Sequence, residues 1–431
     1  METIMKNVFR QGKMSKINNV ILLRWSFIFF VIVSLSFCAT SQKRHIQADQ
    51  AYVAGDYEKA IQTFEPLKAK QDKNYLLYMM DIGMTYFSAG DYYDSEKYFM
   101  TVEKSLEKQI GDLKTGEQLL VSDQRKIFLG DPADKVMTHL FLGIGFFIRE
   151  DYDSAEIEFK KALESDRGKE DKYEGDLVTA NFFLGEIYLN RKQLDKAGVA
   201  YRKTAEINPQ FSYSWLGLYL VAKLEKNTEK MDKYWREYIK LTGDKLKPEE
   251  IENRGKVIVL DLLGWGPMKK PDPFFGAMSL VKPRSYTTNY AEHSFMVENV
   301  DWTSKDYSAD DMYFQANTAG GFTAAFTKKL VGAVARKAVS YIPIVGGLTN
   351  LVLGGNEADT RFWFTLPGKI NLMVAFLVPG LYDFKVKMFD MKGQLQERFQ
   401  QNWYYVPVKA SKSTVLVLRS IFDLHNMAPK K

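Results

Sequence analysis

The 431-residue sequence contains one cysteine, Cys38, and only four histidines. A single thiol excludes an intrachain disulfide, so apolar burial must hold the fold, and the chain is long enough for two cores. The histidines, at 45, 139, 293 and 425, fall outside any metal-ligand spacing. Also missing are a Gly-x-Gly-x-x-Gly or Gly-Lys-Ser/Thr phosphate loop and a Gly-x-Ser-x-Gly nucleophile elbow. Carboxylates are plentiful, as at Asp310-Asp311 and Glu249-Glu250, but nothing selects a pair for glycan cleavage. No enzyme, cofactor or metal is therefore expected. The charge excess is only +6 and no basic stripe concentrates it, which argues against nucleic-acid partners. Uncharged apolar runs are short. Trp25–Phe37 and Ala338–Leu353 both fall below the ~20 residues that span a bilayer.

The first of those runs has a layout of its own. Lys13, Lys16 and Arg24 precede it, and Thr40-Ser-Gln-Lys-Arg-His45 follows. Basic, then apolar, then polar is the order of a secretory signal. Leu35-Ser-Phe-Cys38 resembles a lipobox, with Phe37 where Gly, Ala or Ser is usual. The resemblance implies cleavage before Cys38, its lipidation, and a mature chain held at a membrane by its acyl chains. The competing reading is an uncleaved N-terminal anchor. Met14 is an alternative start to Met1. Ala39 after the cysteine implies, by the same resemblance, an outer-membrane rather than inner-membrane address, facing the periplasm.

From Gln47 to Gly243 the chain repeats itself. Ile82-Gly83, Tyr86, Asp91-Tyr92, Ser95 and Phe99 recur as Leu142-Gly143, Phe146, Asp151-Tyr152, Ala155 and Phe159. They recur again as Leu184-Gly185, Tyr188, Ala197 and Tyr201. An earlier unit holds Ala48, Gly55-Asp-Tyr57, Ala60 and Phe64, and a degenerate last one Gly217, Trp235 and Tyr238. This looks like the tetratricopeptide pattern, one helix pair per ~34 residues. The glycine admits the second helix closely, and the aromatics fill the gap. One pair cannot bury its apolar face alone, so neighbours stack into a solenoid. Loops are expected at 167–175 and, as a longer insertion, between Val102 and Lys135.

The resemblance implies which side chains face the inner curve: Leu77, Met80, Met84 and Phe87, then Met137, Leu140, Ile144 and Phe147, and then Phe182. So apolar a surface should not face water. Two readings stay open. Another part of this chain covers it, or it receives an apolar helix or peptide from a partner.

After Lys247-Pro-Glu-Glu250 the period changes. Lys256–Leu263 reads as a buried strand ending at Gly264-Trp-Gly-Pro267. Further strands are expected at 295–300, 362–366, 370–377, 382–389, 395–405 and 414–418, a set that reads as an antiparallel sandwich. The segment 319–355 interrupts it. Phe322, Phe326, Leu330 and Val334 have helical spacing, and an uncharged stretch follows, broken by Pro343 and Gly346-Gly347. It reads as an apolar helical hairpin packed on the sheet or in the groove, as a membrane-surface element, or as a partner-binding hairpin. Asp359 and Arg361 are expected to form an ion pair that is either structural or part of a ligand site.

Glu357-Ala-Asp-Thr-Arg-Phe-Trp-Phe-Thr-Leu-Pro367, with Gly264-x-Gly-Pro267-Met-Lys269, resembles a family of bacterial extracytoplasmic lipoproteins. These join tetratricopeptide repeats to this segment, and the resemblance implies a cell-envelope role. The expected class is α+β multidomain: a leader (1–38), a tetratricopeptide-like α-solenoid (39–244), a linker (245–255), a β-sandwich-like domain (256–420) carrying the hairpin, and a tail (421–431). The expected function is a membrane-tethered envelope scaffold binding proteins or peptides through the groove, linked to peptidoglycan synthesis or an outer-membrane complex. The alternative is a glycan- or lipid-binding module.

Overall fold

The computed structural model describes residues 43–69, 71–112, 128, 130–166, 175–243, 247–251, 253–271, 279–282, 284, 293–297, 300–304, 307–312, 358–388 and 401–421. The leader with Cys38, the expected hairpin at 319–355 and most of the expected 167–175 loop lie outside them.

Among these residues ten α-helices pair in chain order. They are α1 (43–53) with α2 (Tyr57–Phe64), α3 (Tyr75–Ser88) with α4 (Tyr92–Asp112), and α5 (Pro132–Ile148) with α6 (Tyr152–Ser165). Then come α7 (Val178–Asn190) with α8 (Leu194–Ile207), and α9 (Ser212–Leu224) with α10 (Thr228–Thr242). The insertion expected after Val102 begins later, because α4 continues to Asp112.

The turn inside each pair repeats one device. A left-handed residue ends the first helix: Gly55, Gly90, Glu150, Lys192 or Lys226. In most pairs the next side chain caps the second helix. Asp56, Asp91, Asp151 and Asn227 accept from the N–H three residues on, at 3.0–3.2 Å. The small residue in the first helix is required by contact. A Cβ on Gly143 would lie 2.7 Å from the Phe159 ring, and one on Gly185 2.6 Å from the Tyr201 ring.

The two helices of a pair differ in what they bury. In α6 only Ala155, Glu158, Phe159 and Ala162 are buried, one stripe at helical spacing. In α3 every residue from Leu76 to Thr85 is buried, then Phe87 and Ser88, and α5 and α7 are similar. A helix buried all round has neighbours on both sides. The second neighbour here is β structure.

The strands are β1 (Gly255–Leu263), β2 (Met268–Pro271), β3 (Ser279–Lys282), β4 (His293–Val297), β5 (Val300–Ser304), β6 (Tyr307–Asp311), β7 (Lys369–Leu377), β8 (Gly380–Met388), β9 (Gln401–Val408) and β10 (Ser413–Ser420). They form one sheet of order β10-β1-β7-β6, a second of order β5-β4-β8-β9, and the β2–β3 ribbon. The first sheet is mixed, not antiparallel as expected, because β1 and β10 run parallel. Strand β1 therefore has neighbours on both edges. Ile258, Leu260 and Leu262 on one face join the helical core, with Ile370, Leu372 and Val374 of β7. Val257 and Val259 on the other face share a smaller core with Phe384 and Val408 of the second sheet.

Two strand expectations change. The 295–300 run is divided between β4 and β5, which pair as antiparallel neighbours. The 362–366 run is not a strand at all. Its backbone is engaged elsewhere: Gly266 N–H donates to Leu366 O at 2.7 Å, and Thr365 N–H to Asp81 Oδ1 at 3.0 Å.

Candidate functional site

The inner face of the helical array is where the two halves of the chain meet. The side chains expected to line an open groove (Leu77, Met80, Met84, Phe87, Met137, Leu140, Ile144, Phe147 and Phe182) are all at most 5% exposed. They belong to one core with Ile258, Leu260, Trp265, Trp363, Leu366 and Leu372 of the C-terminal half. The groove is thus filled in cis, and its apolar character follows from that. Trp363 is the central wedge. Its ring packs edge-on against Phe99 of α4 and Phe141 of α5, at 5.7 and 6.1 Å.

Polar groups stitch the same seam at four of the five inner helices. On α3, buried Asp81 accepts the backbone N–H and the hydroxyl of Thr365 on one oxygen, at 3.0 and 2.9 Å. His45 Nε2 of α1 donates to its other oxygen at 3.0 Å. Trp363 Nε1 in turn donates to the Thr365 hydroxyl. On α1, Tyr52 donates to the Thr365 carbonyl and accepts from Arg419 Nε at 2.9 Å. The Arg419 guanidinium lies over the Tyr52 and Trp265 rings and also donates to Leu262 O.

On α7 the link is a helix terminus. The N–H groups of Val178 and Thr179 donate to the two Asp310 oxygens at 2.8 and 2.9 Å, a carboxylate placed where a helix start attracts it. Burial pushes the Asp310 carboxyl up to about 6, although those N–H groups favour its charged form. Farther along α7, Glu186 takes both contacts from Lys256 Nζ at 2.7 Å, one from Ser413 and one from Tyr201. At α5, Lys269 pairs with Asp131 at 2.5 Å and Lys412 with Glu150 at 2.6 Å.

Asp359 and Arg361 come together at this seam. Arg361 Nε and Nη2 donate to the two Asp359 oxygens at 2.8 and 2.7 Å, a bidentate fork. Its Nη1 reaches across to Lys73 O and Asn74 Oδ1, both at 3.0 Å, at the start of α3. Burial opposes the Asp359 charge, but Arg361 and Lys269 outweigh it and hold the carboxyl below its ordinary range. Nearby, burial pulls Arg284 down to about 9. It sits among the Trp265, Phe362 and Phe364 rings and donates to Gly266 O and Phe364 O. Sequence reading missed Arg284, Arg419 and Asp81, because their partners lie 18 to 367 residues away.

A cavity at the seam, lined by Asp131, Met137, Lys269, Met312, Trp363 and Leu366, holds about 30 Å³. That admits a water but not an organic ligand, which needs roughly 300 Å³ or more. Among the described residues two clusters have metal-ligating chemistry: His45 with Asp49 and Asp81, and Glu103 with His139 and Glu158. In the second, Lys161 already bridges both glutamates, at 2.6 and 2.9 Å. No described helix is long and apolar enough to cross a membrane.

Residues 178–211, covering α7, α8 and the turn after them, match the tetratricopeptide repeat family. No curated protein matches the chain. Among solved structures, MamA from Desulfovibrio magneticus is similar at 13% identity over 47% of this chain and 94% of its own, with a TM-score of 0.36. A tetratricopeptide repeat protein from Parabacteroides merdae is similar at 11% identity over 47% and 66%, also at 0.36. YrrB, described as a tetratricopeptide protein with an unusual peptide-binding site, is similar at 15% identity over 46% and 84%, at 0.34. The chain therefore carries tetratricopeptide-like helix pairs within an α+β fold.

Proposed function

We propose that this protein is a lipid-anchored extracytoplasmic scaffold of a bacterial envelope, bound to the membrane through Cys38 and serving cell-wall synthesis or an outer-membrane complex. The observation that supports an interaction role is the tetratricopeptide match at 178–211, set within five consecutive helix pairs. Such arrays present extended surfaces to other proteins. Because the inner face is occupied by the chain's own β region, partners meet the outer helices and the β surfaces instead. Catalysis has no part in this reading.

Affinity purification of the full chain from detergent-solubilised envelopes tests it. An envelope protein recovered at a fixed ratio is expected. Incorporation of labelled palmitate, lost in Cys38→Ser, is expected for the anchor. Recovery of lipid or glycan alone would replace the scaffold reading with the binding-module one. One observation favours that second reading: Tyr404 and Tyr405 of β9 are 65% and 76% exposed, an aromatic pair able to stack on a sugar face.

A further inference from the structure

His45 and Asp49 lie one turn apart on α1 and so share a face, and Asp81 of α3 comes up against them. One ligating atom from each lies within 4.8 Å of the other two. His45 Nε2 is 3.0 Å from Asp81 Oδ2 and 3.8 Å from Asp49 Oδ1. A tetrahedral ion with bonds of about 2.0–2.1 Å has ligands about 3.3 Å apart, so these two edges bracket the required one.

Three further observations favour a cation here. Asp49 Oδ1 is buried and has no hydrogen-bond partner. The Asp81 oxygen turned away from the cluster is held by Thr365 N–H and hydroxyl, and Thr365 by Trp363, which is the outer-shell bracing that metal ligands carry. His45 and Asp49 keep 18% and 14% side-chain exposure, which leaves an approach for a fourth ligand such as water. In the Glu103–His139–Glu158 cluster Lys161 bridges both glutamates, whereas Asp49 and Asp81 are paired by His45, whose Nε2 gives up its proton when a cation binds.

We propose that His45, Asp49 and Asp81 bind a divalent cation of the zinc class and clamp α1 onto α3 directly behind the Thr365–Trp363 wedge. One imidazole and two carboxylates suit zinc better than calcium or magnesium, which take oxygen ligands in larger number. The sequence conceals the set because the third ligand stands 32 residues after the second, on another helix.

Isothermal titration of zinc chloride into the full, untagged chain, stripped with chelator beforehand, tests this. Binding of one equivalent is expected, weakened at least tenfold in His45→Ala and in Asp49→Asn, and unchanged in Glu158→Gln. The thermal midpoint should rise with zinc in the parent and not in His45→Ala. Asp49→Asn guards against misfolding, since that carboxylate oxygen makes no hydrogen bond. No saturable binding up to about 100-fold excess zinc, or binding by both variants as tight as the parent's, would overturn the proposal.

Discussion

Single residues show where local strain and buried charge sit. Lys192 ends α7 in the left-handed region, at φ +57°, where the first two pairs use Gly55 and Gly90. A side chain in that conformation costs about 1 kcal/mol relative to glycine. Lys192 is exposed, so Lys192→Gly is expected to stabilise the fold by about 0.5–1 kcal/mol, measured by urea denaturation. A loss of stability would show that the turn is not strained. Asp310 carries a different cost. Its folded carboxyl is raised to about 6, above the ordinary ~3.9, so the folded state holds the proton more tightly than the unfolded one. Its charged form therefore weakens the fold above pH 6, and that cost is relieved as pH falls toward 4. The stability of the parent relative to Asp310→Asn should rise by about 2 kcal/mol between pH 7 and pH 4.5. A pH-independent difference would contradict this.

At the scale of elements, much was legible in the sequence. The Gly-plus-aromatic register located the helix pairs, because a glycine facing a ring 16 residues later on the partner helix is a local requirement of helix packing. The run Lys256–Leu263 read as a buried strand, and β1 is one, covered on both faces. The apolar inner positions of α3, α5 and α7 also called for a cover, from this chain or from a partner, without saying which. The segment 362–366 was misread for a physical reason. Alternating Phe-Trp-Phe-Thr-Leu has strand composition, yet its polar groups satisfy Asp81 and its tryptophan fills the helical core, and both partners are hundreds of residues away. The parallel β1–β10 pairing was equally hidden, since nothing local records which edge a returning strand takes. The wedge gives the element-scale prediction. Trp363→Ala should cost about 3–5 kcal/mol, as for other buried tryptophans. The loss should appear equally by far-UV dichroism of the helices and by fluorescence of the remaining tryptophans. Loss confined to one signal would mean the halves unfold separately.

For the whole molecule, the organising fact is that one apolar core crosses from helices to sheet. A helical array of this kind ordinarily offers its inner curve to partners, whereas here the curve is the seat of the chain's own β region. The seam is polar as well as apolar: Asp81–Thr365 and Arg361–Lys73 tie α3 across it, and Asp310–Val178/Thr179 and Glu186–Lys256 tie α7. Buried charged groups satisfied in this manner, by backbone groups and hydroxyls or, at Glu186, by Lys256, penalise any arrangement that separates them, which favours one fixed docking.

The single native thiol permits a direct test. In a Cys38→Ser background, Ile144→Cys places a thiol on the inner face and Ile157→Cys one on the exposed side of α6, which is 55% exposed in the parent against 0% for Ile144. With the C-terminal half seated in the groove, maleimide should modify position 157 rapidly and position 144 only after denaturant is added. Equal labelling of the two in the folded protein would mean that the inner curve is open and the account is wrong.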